Sequence, residues 1–427
     1  MNAASRGVQR IYLLLVLLTT LAASFIWGIN TLFLLDAGLS NTEAFAVNAF
    51  FTAGLVIFEV PTGVIADTRG RKKSYLLGTL TLSISTLAYW WMWYAHAPFW
   101  GWAIASVFLG LGFTFFSGAF EAWLVDSLTF TGYFRERGKL ESVLAKGQIV
   151  QGIAMLGGSV TGGVVAQLTN LGAPYALRAL ILALTFVVAL VAMRDIGFTP
   201  SPGKRPIQEA RRILGASLKY GLGNRPVRWI MLAAPFTGGV AIYGFYAMQP
   251  YLLELYGDER AYSVAGLSAA VVAGAQIAGG LLVPYVARIF RLRTSILLWA
   301  TFLSTMVLLL IGATPQFWLA ITGLVVWALM FAAVTPVRQS YLNQLIPSEQ
   351  RATVLSFDSL LSSGGGVVIQ PALGRSADAW GYPMSYVLSA ALHALALPFV
   401  WLARHERSAA DATSEAGEEK PDSLTPD

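Results

Sequence analysis

The chain has 427 residues, of which 56% are hydrophobic and 12% are charged, and its formal net charge is +6. This charged share is half that of a typical soluble domain, which excludes an ordinary water-soluble protein and indicates a membrane protein. Cysteine is absent, which excludes disulfides and thiol chemistry. The cations are spread over many polar connections, so the positive charge does not indicate nucleic-acid binding.

Apolar runs long enough to cross a bilayer recur along the whole chain. Bounded by glycine, proline and charge clusters, they predict twelve transmembrane helices, near 11–35, 42–66, 74–95, 98–124, 140–168, 174–194, 227–254, 261–287, 294–313, 315–340, 351–376 and 381–403. The first run is too long for the core of a signal peptide, and no small-residue cleavage site follows it. We therefore predict that it is a membrane helix.

The connection between the second and third runs is unusual. Residues 63–73 read Gly-Val-Ile-Ala-Asp-Thr-Arg-Gly-Arg-Lys-Lys. The positions that match are Gly63, Asp67, Arg69, Gly70, Arg71 and Lys72, and together they resemble the loop signature of the major facilitator superfamily. That family consists of membrane transporters with twelve helices, and its signature lies between helices 2 and 3. The alternative is an ordinary cytoplasmic turn anchored by positive charge.

The resemblance covers nearly all of residues 10–404 and implies an all-α membrane protein with two pseudo-symmetric six-helix bundles. It also implies a cytoplasmic gate. Asp67 and Arg71 would hold the bundles together on that side, with Asp126 as a third member. The gate set comprises Gly63, Asp67, Arg69, Gly70, Arg71 and Asp126. The alternative is that these charges only fix the topology.

Charge predicts the orientation. With both termini in the cytoplasm, only Arg178, Arg260 and Arg375 among the 29 Lys and Arg fall toward the outside. This bias follows the positive-inside rule. We expect a multi-pass protein of the bacterial cytoplasmic (inner) membrane that works as a monomer.

The predicted domains are an N-terminal bundle at 1–194, a cytoplasmic linker at 195–226, a C-terminal bundle at 227–404 and a disordered tail at 405–427. Within the linker, 206–220 is a candidate amphipathic surface helix. Internal repetition supports the division. A shift of 217 residues places Gly63 on Gly280, Arg71 on Arg288, Glu121 on Arg338 and Asp126 on Asn343.

Charged residues inside membrane spans are costly and usually functional. Five stand out: Glu59, Glu121, Lys146, Arg338 and Asp358. Glu121 and Lys146 are at comparable depth on neighbouring helices, as are Arg338 and Asp358, so each is a candidate ion pair. Glu59 lies in an otherwise apolar segment next to Pro61, which makes it the first candidate for reversible protonation, with Glu121 in reserve.

The family resemblance implies a substrate cavity between the bundles, lined by helices 1, 4, 7 and 10. Candidates from the middles of those segments are Phe25, Trp27, Asn30, Phe113, Phe116, Tyr243, Tyr246, Gln249, Trp327 and Phe331. Aromatic residues with few fixed charges suit a large apolar or weakly polar ligand. The alternative for each is ordinary packing within the membrane.

Two stretches, 58–63 and 117–128, resemble bacterial members of the macrolide- and tetracycline-efflux type. We therefore expect a proton-coupled antiporter that exports a hydrophobic small molecule or drug by alternating access. One alternative is a symporter or uniporter that imports a polar metabolite. Another is a membrane-embedded enzyme, but His96, His393 and His405 are scattered and form no catalytic or metal cluster. The expected partners are a small-molecule substrate, protons and lipid, with no cofactor or metal.

Overall fold

The computed structural model describes residues 3–116, 118–200 and 206–413. Apart from one isolated β-bridge, the regular structure of this part of the chain is helical. The helices are α1 (Ala3–Ser24), α2 (Asn30–Asp36), α3 (Asn41–Arg69), α4 (Arg71–Ala95), α5 (Phe99–Thr114), α6 (Ala119–Phe130), α7 (Leu140–Leu168), α8 (Gly172–Ala192), α9 (Pro206–Ala216), α10 (Arg225–Tyr256), α11 (Tyr262–Ile289), α12 (Arg293–Ala313), α13 (Phe317–Leu345), α14 (Arg351–Ala394) and α15 (Ala396–His405).

These helices account for the twelve predicted spans. Ten described segments are long and apolar enough to cross a membrane. One of them, Thr353–His405, contains the last two spans, which are separated by a break at Gly381 (φ 80°). Helix α4 is less apolar than the ten but has 25 residues, long enough to cross. The predicted all-α, multi-pass architecture is confirmed.

Two spans that the sequence predicted as continuous are broken. The first consists of α1 and α2 with a turn at 25–29, and the fourth consists of α5 and α6 with a break after Thr114. The residues at the two breaks are largely apolar, like those of the flanking helices. Hydropathy alone therefore did not reveal either break. Where a helix is interrupted inside a membrane protein, the backbone N–H and C=O groups at the break lose their partners within the helix and need other ones.

Alternate spans run in opposite directions, so the two ends of the molecule can be named. The signature end carries residues 63–73, and the opposite end carries the connection between α2 and α3. At the opposite end, two buried apolar clusters cross the boundary between the halves of the chain. One joins first-half residues to Leu253, Ala261 and Ala265, and the other joins second-half residues to Phe45.

The two apolar clusters near the signature end are separate. One draws its described members from residues 8–196, and the other from residues 220–410. Hydrophobic contact therefore joins the two halves at the opposite end, while each half keeps its own core at the signature end. This arrangement closes the space between the halves at the opposite end.

Polar contacts reinforce this closure. Asp378 on α14 accepts hydrogen bonds from the backbone N–H of Asn41 (2.9 Å) and of Thr42 (2.8 Å) at the start of α3. The Gln249 amide bonds to the carbonyl of Trp27 (2.9 Å) and accepts from the N–H of Thr31 (2.8 Å). Gln249 thus satisfies one backbone group within the turn of the first span and one in α2, which follows it.

Three glycines form a close approach between the halves. A Cβ on Gly28 would lie 2.9 Å from the Cα of Gly266, and a Cβ on Gly266 would lie 2.9 Å from the Cα of Gly163. Backbone therefore packs directly on backbone where α7, α11 and the turn of the first span meet. We call Gly28, Gly163 and Gly266 the glycine contact. Any larger side chain there would push the halves apart.

The linker and the tail differ in part from expectation. Helix α9 covers the first part of the candidate amphipathic segment, and a π-helical turn at Ser217–Leu222 follows it. The predicted disorder from 405 onward is wrong up to residue 413, because this stretch docks on α12. Asp411 accepts from the Thr294 N–H (2.7 Å) and hydroxyl (2.6 Å), and Arg293 donates to the Ala410 carbonyl (2.6 Å). The remainder of the tail, 414–427, lies outside the described residues, and the four-part domain division stays a prediction.

Candidate functional site

Two adjoining cavities lie between and within the bundles and share Trp27, Phe51 and Tyr246 in their walls. The first has a volume of about 380 Å³ and lies mainly in the N-terminal half. The second has a volume of about 330 Å³ and is bounded by both halves. We call the first the polar cavity and the second the central cavity. Together they form one candidate site that extends across the bundle boundary.

Six of the ten predicted cavity residues line this site: Trp27, Asn30, Phe113, Tyr246, Trp327 and Phe331. Helices α3 and α8 add residues that the sequence did not indicate, among them Asn48, Thr52 and Arg178. The walls of the central cavity are mostly aromatic and aliphatic. They suit the apolar part of a ligand.

The other four predicted residues do not line either cavity. Phe25 is buried at the turn beside the glycine contact, and Phe116 packs edge-to-face on Tyr75. Tyr243 is buried in the C-terminal bundle, where its hydroxyl bonds to Ser385 (2.6 Å). Gln249 is occupied by the backbone of the first span. The sequence therefore did not reveal that these four residues pack in the turn of the first span, within a bundle or between the halves, outside the walls of both cavities.

One wall of the polar cavity contains a buried arginine. Arg178 on α8 is 4% exposed, and its Nε donates to the Thr86 hydroxyl (3.1 Å). Its guanidinium also lies 6.0 Å from the centre of the Phe113 ring. The sequence interpretation placed Arg178 at the outer end of its span. Helix α8 starts at Gly172, however, so Arg178 is about 9 Å inside it.

A hydrogen-bonded relay borders the same cavity. The Tyr175 hydroxyl donates to Asn30 Oδ1 (3.0 Å), and Asn30 Nδ2 donates to Asn48 Oδ1 (3.0 Å). Asn48 Nδ2 is buried, and no acceptor for it is found among the described residues. The relay therefore ends in a donor, close to the cavity that Arg178 also lines.

Glu59 lies near the central cavity. Thr52 and Leu55 line that cavity, and Glu59 follows Leu55 by one turn of α3, about 6 Å closer to the signature end. The Glu59 side chain is half-buried. A carboxyl group at this position lies between the site and the end at which the halves have separate cores.

The second carboxylate candidate differs from expectation. Both Glu121 and Lys146 are exposed, and the ion pairs found in the described part of the chain do not include the two together. The pairing proposed from their similar depth is therefore not observed.

The other intramembrane pair is in direct contact. Arg338 on α13 binds Asp358 on α14 through two parallel hydrogen bonds of 2.5 and 2.6 Å, and it also donates to the Ile230 carbonyl (3.3 Å). Asp358 is buried. A two-point guanidinium–carboxylate contact of this kind links three helices of the C-terminal bundle.

The signature residues form a charged cluster at their end of the molecule. Arg71 donates to Asp67 at 2.6 Å, and its Nε lies 3.8 Å from Asp126. Gly70 has φ 109° and ends α3, and a Cβ there would lie 2.5 Å from Asp195 Oδ2. Glycine is therefore required at position 70 for both conformation and space.

The remaining signature positions are less constrained. Arg69 is exposed, and open space surrounds the position of a Cβ on Gly63. Lys72 donates from its ammonium group to the Leu190 carbonyl (2.7 Å) and from its backbone to Asp195 (2.8 Å). The cluster thus ties together the signature-end termini of several helices of the N-terminal half.

A membrane-spanning bundle with an interior cavity that is closed at one end is typical of a polytopic transporter. The family model of the Major Facilitator Superfamily matches residues 12–298 and 261–426. The chain therefore belongs to this superfamily, and it is a transporter, not an enzyme. No curated protein matches it significantly.

Solved structures with the same fold are distant in sequence. The nucleoside transporter NupG is 10% identical, with a TM-score of 0.75 over 94% of this chain and 99% of its own. A D-xylose-proton symporter is 15% identical, with a TM-score of 0.65 over 93% and 96%. A bacterial homolog of the human lysosomal transporter Spinster, in an inward-facing and occupied conformation, is 15% identical, with a TM-score of 0.68 over 95% and 98%. These likenesses confirm the predicted fold.

Proposed function

We propose that the protein is a proton-coupled exporter of a hydrophobic small molecule, working by alternating access in the bacterial cytoplasmic membrane with both termini in the cytoplasm. The observation that carries the proposal is the central cavity, which lies between the two halves and is mostly apolar and aromatic. Trp27, Tyr246 and Phe331 offer flat apolar surfaces from three different spans. Such walls favour a substrate with a large apolar part.

Alternating access follows from the distribution of contacts. The opposite end is closed by shared apolar clusters and by Asp378, whereas the signature end has two separate cores. With the signature end in the cytoplasm, this is an inward-facing state. Rocking about the glycine contact would close the signature end, where Asp67 and Arg71 would meet the other half.

Proton coupling is assigned to Glu59. Its position one turn from the cavity wall means that rocking of the halves would change its exposure to water. An ionised carboxyl is costly in an apolar environment and stable in water, so the group would bind a proton when sequestered and release it when wetted. Glu121 is the reserve candidate, since it is exposed at the same end.

A second candidate function is import of a polar metabolite by symport. The observation that favours it is the polar cavity, where Asn30, Asn48 and Arg178 lie together. Export and import predict opposite directions of proton-driven movement, so one transport assay separates them.

The proposal is tested in two steps. Drug-susceptibility profiling of a strain that overexpresses the protein identifies a transported compound. That compound is then followed in proteoliposomes with an imposed pH gradient. We expect the wild type to move it uphill against proton flow, and Glu59→Gln to abolish uphill movement while still allowing exchange down a gradient.

Glu141→Gln is the matched control, because Glu141 is exposed in the first turn of α7. It should transport like the wild type. Uphill transport at the wild-type rate by Glu59→Gln would exclude Glu59 as the coupling residue and direct the test to Glu121→Gln. Movement of the compound with the protons would replace export by symport.

A further inference from the structure

The polar cavity has an excess of hydrogen-bond donors. Arg178 lines it with a buried guanidinium, and the single hydrogen bond described for that group is the one from Nε to Thr86. Within the described part of the chain, no carboxylate lies within ion-pair distance of Arg178. A buried cation without an anion is expensive, so its presence calls for an explanation.

The contrast with the C-terminal bundle is informative. Arg338 is also an intramembrane arginine, but a carboxylate and a backbone carbonyl satisfy it there. The terminal nitrogens of Arg178 are not among the fully buried atoms that lack a partner. They are therefore reachable from the cavity that the residue lines.

A second donor borders the same cavity. Asn48 Nδ2 is buried without a described acceptor, because the relay from Tyr175 through Asn30 uses up the Asn48 oxygen. Reversing the Asn48 amide would leave its oxygen without the Asn30 donor. In this arrangement the Asn48 N–H, unpaired among the described residues, lies in the wall of the cavity that Arg178 lines.

Arg178, Asn48 and Asn30 lie at similar depths in the bundle, so their side chains can meet. Arg178 lies six residues into α8, Asn48 seven residues into α3, and Asn30 six residues from the end of α2. At 1.5 Å per residue, all three are about 9–11 Å from the opposite end. The donors thus form one layer, and the aromatic walls of the central cavity continue from it past Trp27 and Tyr246.

We infer that the substrate is an amphipathic organic anion whose carboxylate binds Arg178 in the polar cavity beside Asn48, while its apolar part occupies the central cavity. One reachable guanidinium fits a single negative charge, since a phosphate dianion would call for more cations. An organic cation would be repelled from this layer. The inference rests on the proposed transport function and names the substrate class of the same site.

Binding is measured by calorimetry on the full-length protein in lipid nanodiscs at neutral pH. The probes are 4-phenylbutanoate, 4-phenylbutanamide and 4-phenylbutylammonium, which share one apolar part and differ in the head group. We expect the acid to bind at least about tenfold more tightly than the amide, because charge-assisted hydrogen bonds are the stronger kind. The ammonium compound should bind more weakly than the amide.

Arg178→Gln should bind the acid and the amide with equal affinity, and its affinity for the amide should stay at the wild-type value. Amide binding therefore reports folding within the same variant. Arg178→Lys should keep part of the preference. Arg375→Gln, which changes an exposed arginine on α14, should keep all of it.

If Arg178→Gln fails to bind the amide, Asn48→Asp decides the question. It introduces a negative charge at the layer and should abolish the preference for the acid. The inference is overturned if the wild-type protein does not prefer the acid to the amide. It is also overturned if Arg178→Gln or Asn48→Asp keeps that preference. Displacement of the acid by inorganic phosphate would assign the site to phosphate and would also overturn it.

These measurements use no proton gradient. If the wild-type protein shows no preference for the acid, the assignment of the anion site is wrong, but the proposed direction of transport is unaffected. Conversely, wild-type uphill transport by Glu59→Gln contradicts the coupling mechanism without touching the anion site.

Discussion

Asp378 is the polar contact that most directly holds the opposite end closed. Its carboxylate crosses from α14 to the first turn of α3, where it accepts from two backbone N–H groups and from the Thr42 hydroxyl (2.5 Å). An anion at a helix N-terminus is also favoured by the helix dipole. Asp378→Ala removes all of these contacts and leaves the rest of both helices unchanged.

The size of the effect can be worked out from this geometry. Hydrogen bonds to charged groups contribute about 1.5–3 kcal/mol each when shielded. Asp378 is exposed, so solvent screening reduces the total for the cluster to about 1–2 kcal/mol. That free energy corresponds to roughly a 5–30-fold change in an equilibrium ratio. We therefore expect the fraction of molecules with an open opposite end to rise severalfold.

The assay is the distance between two spin labels at the opposite end. Cysteines that replace Asn170 and Arg260 provide exposed sites on either side of the boundary, in a chain that has no other cysteine. Asp36→Ala is the matched control, because Asp36 accepts from Trp93 within one half (2.8 Å). A distance distribution that is the same in Asp378→Ala and in the wild type would refute the reasoning.

Three further predictions concern charged groups and orientation. Asp67→Asn weakens the pair with Arg71, so it should lower transport without preventing membrane insertion and should raise reagent access to the cavity from the signature end. Unchanged transport and access would leave the pair with a topological role alone. Asp358→Asn should destabilise the purified protein by about 3–5 kcal/mol, seen as a lower Tm, because Arg338 stays buried without its carboxylate. Replacing the pair with Leu and Met should recover most of that loss, and recovery that fails would point to a role beyond pairing. A cysteine at Arg135 should react with an impermeant thiol reagent only after the membrane is opened, and labelling in intact cells would contradict the proposed orientation.

Much of the fold could be predicted from the sequence because membrane spans are long and apolar. The breaks within spans could not. The turn at 25–29 contains apolar residues and no proline, and it is held by Gln249 from the other half of the chain. A contact between residues more than two hundred positions apart leaves no local pattern. The docked tail was missed for the same reason, since Asp411 acts on a helix start far away in sequence.

In the candidate site, too, contacts between residues close in sequence could be predicted, and positions that depend on distant neighbours could not. The Asp67–Arg71 contact was predictable because the two residues are one helical turn apart within a recognisable pattern. Arg178 was missed because it was counted with the outer-end charges, although it lies four residues into the predicted span and six residues into α8. Tyr243 and Tyr246 differ by three positions, yet one is buried in its bundle and the other faces the cavities. Rotation of a helix about its axis depends on its neighbours, which one sequence does not supply.

The glycine contact has a consequence for how such a transporter can diversify. At this contact the halves meet mainly through main-chain atoms, so no large side chain there has to be displaced when the halves move against each other. The hinge and the pocket are then built from different residues, because Gly28, Gly163 and Gly266 make the contact while larger side chains line the cavities. Substitutions among the residues that line the cavities would change which substrate binds and leave the movement of the two halves unchanged.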